Sequence, residues 1–310
     1  MITILAGGTG SVKLVRGLYN QFKDIGVISN VADNFWHYGL YICPDIDTII
    51  YGLSNNLDTN KGWGIKKDTF NFLNHMKSLS GMDTWFNLGD KDLTTHIIRT
   101  SLLKNGKSLS EITCILSKQY GLSIPILPAS DDHYETNMLT NDNRTMHLQE
   151  YWIKYRGLLD LKDIFYKNIK KSKPSLECIQ MLEQSKLIVI APGNPISSIG
   201  PIIGIPGMKN IMHKFRDKIV MVSPLVSNKA ISGPSENYLK AKNIQPDLKG
   251  VINFYSKIAT NMIFDKVDRI EIEEKIKSVF PQINFYFGDI IMKNSTKELS
   301  LARYIISKFY

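Results

Sequence analysis

The sequence predicts an α/β protein with a Rossmann-like, mostly parallel sheet that carries helical and β-hairpin insertions. Three observations lead there. The chain opens with an apolar run, Ile2-Thr3-Ile4-Leu5-Ala6, which breaks at Gly7-Gly8-Thr9-Gly10 and continues as Ser11-Val12-Lys13-Leu14-Val15-Arg16-Gly17-Leu18. That is the order of a strand, a tight glycine turn and a helix. Short apolar segments then alternate with amphipathic ones along most of the chain. Polar clusters rich in Gly, Asn, Asp and Ser recur directly after the apolar segments, at the strand ends where open α/β sheets place their ligands.

The first turn aims unpaired backbone N–H groups and the positive end of a helix dipole at one point, which calls for an anion, most often a phosphate. The Walker spacing is absent, and the dinucleotide fingerprint is only half met, because Lys13 stands where its third glycine belongs. Ile25 to Val31 reads as a second strand, and Asp47 to Leu53 as part of a short helix. Thr69 to Leu79 has helical spacing, with Phe70, Phe72, Leu73 and Met76 on one stripe. Asp90 is expected to cap a helix running to Lys104 and closed by Gly106. Ser108-Leu109-Ser110-Glu111 is a capping box for a helix to Tyr120. Adjacent helices without an intervening strand mark a helical insertion over about 54–120.

Ile124 to Leu127, Glu135 to Leu139 and Thr145 to Lys154 read as strands, the last two joined by a turn at Asn141-Asp142-Asn143. They give a β-hairpin extension over about 123–156. Alternation then returns with a strand at Leu187 to Ala191, a helix at Met208 to Phe215 and a strand at Ile219 to Val222. The last helix is expected to open on a capping box, Ser295-Thr296-Lys297-Glu298. With no repeat, linker or low-complexity tract, residues 1–310 read as a single domain with inserts.

Composition excludes several classes. An apolar fraction of 43% supports a buried core, and no run of eighteen apolar residues spans a membrane. No secretory signal pattern opens the chain, and Cys43, Cys114 and Cys178 form neither a C-x-x-C nor an even set. Reduced thiols and a cytoplasmic location are expected. The net charge of +9 comes from dispersed lysines, clustered only at Lys167 to Lys173, so it fits anionic substrates better than nucleic acid.

The polar clusters carry the candidate chemistry. Asn30 to Gly39 follows the second strand, and Pro44-Asp45-Ile46-Asp47-Thr48 places two carboxylates at a helix entrance. Such a pair holds a hard divalent cation, orients a hydroxyl nucleophile, or simply caps the helix. Leu88-Gly89-Asp90-Lys91-Asp92 leads into His96 and Arg99, a lone His there being structural by default. Pro192-Gly193-Asn194-Pro195 with Ser197-Ser198-Ile199-Gly200-Pro201, and Ser223-Pro224, complete the set.

Taken together these segments resemble the 2-phospho-L-lactate transferases of coenzyme F420 biosynthesis. The matching stretches are Ala6 to Leu14, Asn30-Val-Ala-Asp33, Gly39 to Thr48, Leu88 to Arg99, Leu127 to Asp132, Gln149 to Trp152, Asn194 to Pro201 and Ser223-Pro224, spread over residues 1 to 235 in the family's order. The resemblance implies transfer of a phospho-organic acid from lactyl-2-diphospho-5′-guanosine, or an enolpyruvyl analogue, to the ribityl hydroxyl of the deazaflavin Fo, with GMP leaving. It implies Mg2+ or another divalent cation, held by Asp45 and Asp47, with one of them as base, and a homodimer. Gly7, Gly8, Thr9, Gly10 and Lys13 are expected on the donor diphosphate, with Asn194, Ser197, Ser198 and Gly200 on the rest of the nucleotide. Asp47, Asn87, Gly89 and Asp90 are expected at Fo, with Phe35 and Trp36 flanking its ring. Asp47→Asn should then reduce turnover far more than stability. The chain departs from the family pattern at Asn34 and Gly193. A related group of nucleotide-sugar-binding regulators without transferase activity is the alternative, but it lacks the Pro-Asp-x-Asp-Thr segment.

Overall fold

The computed structural model describes residues 1–81, 83–231 and 233–310. Its centre is a seven-stranded, wholly parallel sheet. The strands are β1 (Ile2–Ala6), β2 (Ile25–Ser29), β5 (Ile126–Pro128), β9 (Leu187–Ile190), β10 (Ile219–Val222), β13 (Asn261–Asp265) and β14 (Asn284–Gly288), in the spatial order β14-β13-β10-β9-β1-β2-β5. β1, β2, β9, β10 and β13 are buried at every position. This is the continuous apolar character of strands covered on both faces. The order reverses beside β1, whose neighbours are β2 and β9. That switch point leaves a crevice at the strands' carboxyl ends.

Helix α1 (Gly8–Gln21) follows β1 directly, and α2 (Pro44–Leu53) packs beside it. Between β2 and α2 lies a short hairpin of β3 (Phe35–His37) and β4 (Leu40–Ile42). Between α2 and β5 come α3 (Asn71–Ser80), α4 (Asp90–Lys104) and α5 (Leu109–Gln119). A second apolar cluster, Phe35, Ile42, Phe86, Leu88 and Leu93, ties the hairpin to this insertion.

The α3 and α4 caps are exchanged relative to the expectation. Gly89 holds the N-cap position of α4, and the Asp90 carboxylate instead accepts from the Asn71 and Phe72 amides of α3, each at 3.0 Å. Asp68 caps α4, accepting from Lys91 N at 2.8 Å and Asp92 N at 3.0 Å. Each helix start is therefore closed by the segment leading to the other. The Ser108–Glu111 capping box of α5 forms as read.

The extension after β5 is a three-stranded antiparallel sheet of β6 (Glu135–Thr140), β7 (Thr145–His147) and β8 (Leu161–Lys167), ordered β7-β6-β8. The strand expected over 145–154 ends at His147, and Glu150–Lys154 forms a π-helical turn. The chain folds back there because the buried Tyr151 donates its hydroxyl to the carbonyls of Gly157 and Leu159.

The remaining elements are α6 (Leu176–Gln184), α7 (Gly200–Gly204), α8 (Met208–Lys214), the ribbon β11 (Leu225–Val226) and β12 (Lys229–Ala230), α9 (Ser235–Ala241), α10 (Leu248–Tyr255), α11 (Arg269–Glu271) and α12 (Ser295–Phe309). α12 starts one residue earlier in its cap than expected, with Asn294 accepting from Lys297 N. Glu298 turns inward to a paired contact with Arg16 of α1 rather than back to its own backbone. Gly17 makes this crossing close: a Cβ there would sit 2.5 Å from the Glu298 carbonyl oxygen. Among the described residues no helix is long and apolar enough to cross a membrane.

Candidate functional site

A cleft of about 400 Å³ opens at the carboxyl ends of β1, β2 and β9. Three loops press together at its floor. Gly8 adopts φ +71°, a left-handed conformation natural to glycine. A Cβ on Gly7 would lie 2.9 Å from both Asn30 Cβ and the Ser198 carbonyl, and one on Gly193 would lie 2.9 Å from Gly7 O. The glycines thus let the β1 turn, the β2 end and the 193–198 loop share one small volume. Asn194 is occupied in holding its own turn: its Oδ1 accepts from Ile196 N and Ser197 N, and its Nδ2 donates to Ser235.

The two aspartates of the α2 entrance face different partners, as residues two apart on a helix must. Asp45 Oδ1 accepts from Gly8 N at 2.7 Å, and Oδ2 from Asn30 Nδ2 at 2.9 Å. Burial pushes its pKa up to about 6 despite those two donors. Beside it stands Asp33, buried, its Oδ1 without a hydrogen-bond partner among the described residues. Burial first, and the Asp45 charge second, hold the Asp33 carboxyl well above the usual carboxylate range.

Asp47 belongs to a separate buried network. Both its oxygens meet Arg99, with Nη1 at 3.0 Å from Oδ2 and Nη2 on Oδ1. Burial raises the Asp47 carboxyl, while Arg99 opposes that rise. The fully buried guanidinium is held above its ordinary value by Asp47 against its own burial. Arg99 Nη1 also lies 3.1 Å from His96 Nδ1. A guanidinium only donates, so Nδ1 accepts and Nε2 carries the proton, 3.3 Å from Asp92 Oδ1. Tyr51 donates to the same Asp92 oxygen at 2.7 Å. Burial works against the Asp92 anion, yet His96, Tyr51 and Arg99 outweigh it and leave its pKa lowered. Asp92, His96 and Arg99 share one face of α4, at i, i+4 and i+7.

Both aspartates of the expected metal pair line the cleft, and Arg99 engages both oxygens of Asp47. The ligand atoms of Asp47, Asp92 and His96 lie within 4.8 Å of one another and could hold a metal ion, with the Arg99 guanidinium offsetting one of the two carboxylate charges.

The cleft brings together Gly7, Gly8, Thr9, Gly10, Asp45, Asp47, Asn87, Asn194, Ser197 and Ser198, all expected there. It leaves out six expected residues. Lys13 points into solvent from α1. Gly200 packs under Tyr166, whose hydroxyl a Cβ would meet at 2.3 Å, and Gly89 packs on Asp68. Asp90 is spent on the α3 cap. Phe35 is buried between Trp85 and His147, while Trp36 is 52% exposed against Tyr41 on the outer face. The aromatic walls are instead Trp63 and Trp152, both partly exposed in the cleft mouth. Asp33, Asp92 and His96 were also missed as wall residues. Sequence signals for them existed: Trp63 is flanked by Gly62 and Gly64, Asp33 ends the segment after β2, and Asp92 and His96 repeat at helical spacing. Asn34, where the family pattern departs, is fully buried with neither amide atom hydrogen-bonded. Among the described residues the cleft wall holds four aspartates and no lysine or arginine.

A glycine loop at a switch point, opposed by buried carboxylates under an aromatic mouth, marks a phosphate-handling α/β protein of Rossmann-like build. Comparison with known proteins gives that class a family. The family model described as "2-phospho-L-lactate transferase CofD" matches residues 2–279, and the chain belongs to that family of transferases. It is 34% identical over 310 residues to the 2-phospho-L-lactate transferase of Methanosarcina mazei, covering 99% of each chain. It is also 34% identical over 311 residues to that of Methanocaldococcus jannaschii, covering 99% of this chain and 97% of the other. A phosphoenolpyruvate transferase of Nocardia farcinica is 31% identical over 272 residues, with 85% of this chain and 82% of the other covered. Among solved structures, a UPF0052 family member from Bacillus halodurans shares the fold, with a TM-score of 0.65 at 15% identity over 98% of both chains.

Proposed function

We propose that the protein transfers a phospho-organic acid from a guanosine diphosphate donor to the terminal ribityl hydroxyl of the deazaflavin Fo, in coenzyme F420 biosynthesis. The acid is lactate, or enolpyruvate in the variant for which some relatives are named. The observation that carries this reading is one cleft joining the glycine loop, a buried aspartate of raised pKa and a tryptophan-lined mouth. The open amides of Thr9 and Gly10 receive the diphosphate, with Ser197 and Ser198 beside it. Trp63 and Trp152 hold the planar ring, and Asn87 lies at the same wall. Asp47, fixed by Arg99, accepts a hydrogen bond from the ribityl chain and orients it. Asp45 takes the proton of the attacking hydroxyl as its oxygen bonds to the phosphorus that carries the organic acid, and the bond from that phosphorus to the GMP oxygen breaks.

A divalent cation fits this site at Asp33, a hard oxygen donor whose Oδ1 has no partner among the described residues. When bound, Mg2+ would neutralise phosphate charge that the wall, without lysine or arginine, leaves uncompensated. A cytoplasmic homodimer belongs to the same reading.

The test is fluorescence titration with Fo, with and without GDP and Mg2+, followed by product analysis with each donor. Saturable quenching strengthened by GDP, and formation of the phosphodiester, support the proposal. Retained affinity for a nucleotide sugar without Fo binding would assign the chain to the non-catalytic regulators instead.

A further inference from the structure

The first amide of the phosphate loop is not free. Gly8 N donates to Asp45 Oδ1 at 2.7 Å, although Asp45 reaches the loop from a different helix. The Gly7 amide is engaged as well, but with Ser11 Oγ at 3.2 Å, one turn along the same segment. The Gly7 bond is therefore internal to the loop, whereas the Gly8 bond is to a carboxylate in the cleft wall. Thr9 and Gly10, next along, open α1 and have no acceptor within the helix. The space around Gly8 is tight, since a Cβ there would meet Ser198 Oγ at 3.0 Å.

We propose that Asp45 occupies the first anion position of the phosphate loop in the free protein, and that an entering diphosphate takes that position from it. This rests on the donor reading above and adds a sequence of events to it. One N–H directs one strong hydrogen bond, and two anions do not share it without repulsion. When a phosphate oxygen replaces Asp45 Oδ1 on Gly8, that carboxylate oxygen loses its hydrogen bond to the loop, while Oδ2 stays on Asn30 at 2.9 Å. The side chain is thus tethered at one oxygen and released at the other. The released oxygen, on a wall residue of the cleft, is then open to the acceptor, so donor binding precedes its use. The unpartnered Asp33 Oδ1 gives no competing acceptor to Gly8 and serves as the control.

The experiment uses the full chain in EDTA buffer, with pyrophosphate and GDP as probes and calorimetry as the readout. Asp45→Ala should bind pyrophosphate about tenfold more tightly than the unaltered protein, as expected for freeing one charge-assisted donor. Asp33→Asn, which removes a carboxyl from the same wall without freeing Gly8, should gain no more than about threefold by the same measure. Equal gains in the two variants would reduce the effect to lost repulsion and overturn the proposal. In the unaltered protein the Gly8 amide resonance should move on saturation with GDP, toward its position in the pyrophosphate complex of Asp45→Ala. A Gly8 resonance that stays put while GDP binds would overturn the exchange and leave the donor reading standing. Absence of anion binding in every variant would remove both.

Discussion

Arg99 and Asp47 are 0% and 4% exposed, so their pairing is nearly dry and the loss of one partner strands a charge. Breaking a buried pair from one side costs about 3–5 kcal/mol. For a chain of this length that is roughly 2 °C of melting temperature per kcal/mol, so Arg99→Met should melt about 6–10 °C lower. Asp47→Asn should also lose stability, because it leaves the guanidinium without its counter-ion. The expectation from sequence, that Asp47→Asn reduces turnover far more than stability, is tested by the same measurements. The double variant Arg99→Met/Asp47→Asn removes both charges and should recover all but about 1–2 kcal/mol. Turnover should not recover with it, since the oriented carboxylate is gone. Thermal melts at one scan rate, read beside Fo turnover, decide the matter. A double variant no more stable than the weaker single one, or an Arg99→Met protein melting within about 2 °C of the original, would refute the ion-pair reasoning.

The other predictions rest on separate features. Gly17→Ala should cost about 2 kcal/mol or more, measured by urea denaturation, because its Cβ would meet the backbone of Glu298. Trp63→Ala and Trp152→Ala should each raise the KM for Fo about tenfold with little change in kcat, while Trp36→Ala leaves both constants alone. Asp92 has a lowered folded pKa, so its stabilising contribution is present above its unfolded value, near 3.9, and is lost as pH falls through the folded one. A stability profile between pH 5 and 2 should accordingly flatten in Asp92→Asn. Chelation with EDTA should abolish turnover while shifting the melting temperature only slightly, and Mg2+ should restore activity.

What the sequence made legible was whatever local chemistry decides. The β1–glycine–α1 unit, the parallel core strands and the Ser108 box follow from neighbours in the chain, and the structure keeps them. The Asp90 cap went astray because Asp68 and Asp90, twenty-two residues apart, exchange the helices they serve, which only packing reveals. Glu298 went astray for the same reason, its partner Arg16 lying at the other end of the chain. In the cleft, the Pro44-Asp45-x-Asp47 segment was found as chemistry and both carboxylates line it, but their separate partners were not legible. The separation of its two carboxylates depends on Gly8, Asn30 and Arg99, contributed by three other elements. Phe35 and Trp36 carried the right residue type for a ring platform on a hairpin that turns them away from the cleft.

The crossing of α12 over α1 carries a practical corollary for handling the molecule. The match to the family model stops at residue 279, well before α12 begins at Ser295. An expression boundary drawn there would strip Leu301, Ala302 and Ile305 from the core and leave Arg16 facing a void. The helix that presents the glycine loop would then be braced on one flank only. Trimming the tail is thus a way to loosen the glycine-loop end of the cleft without touching a single residue that lines it.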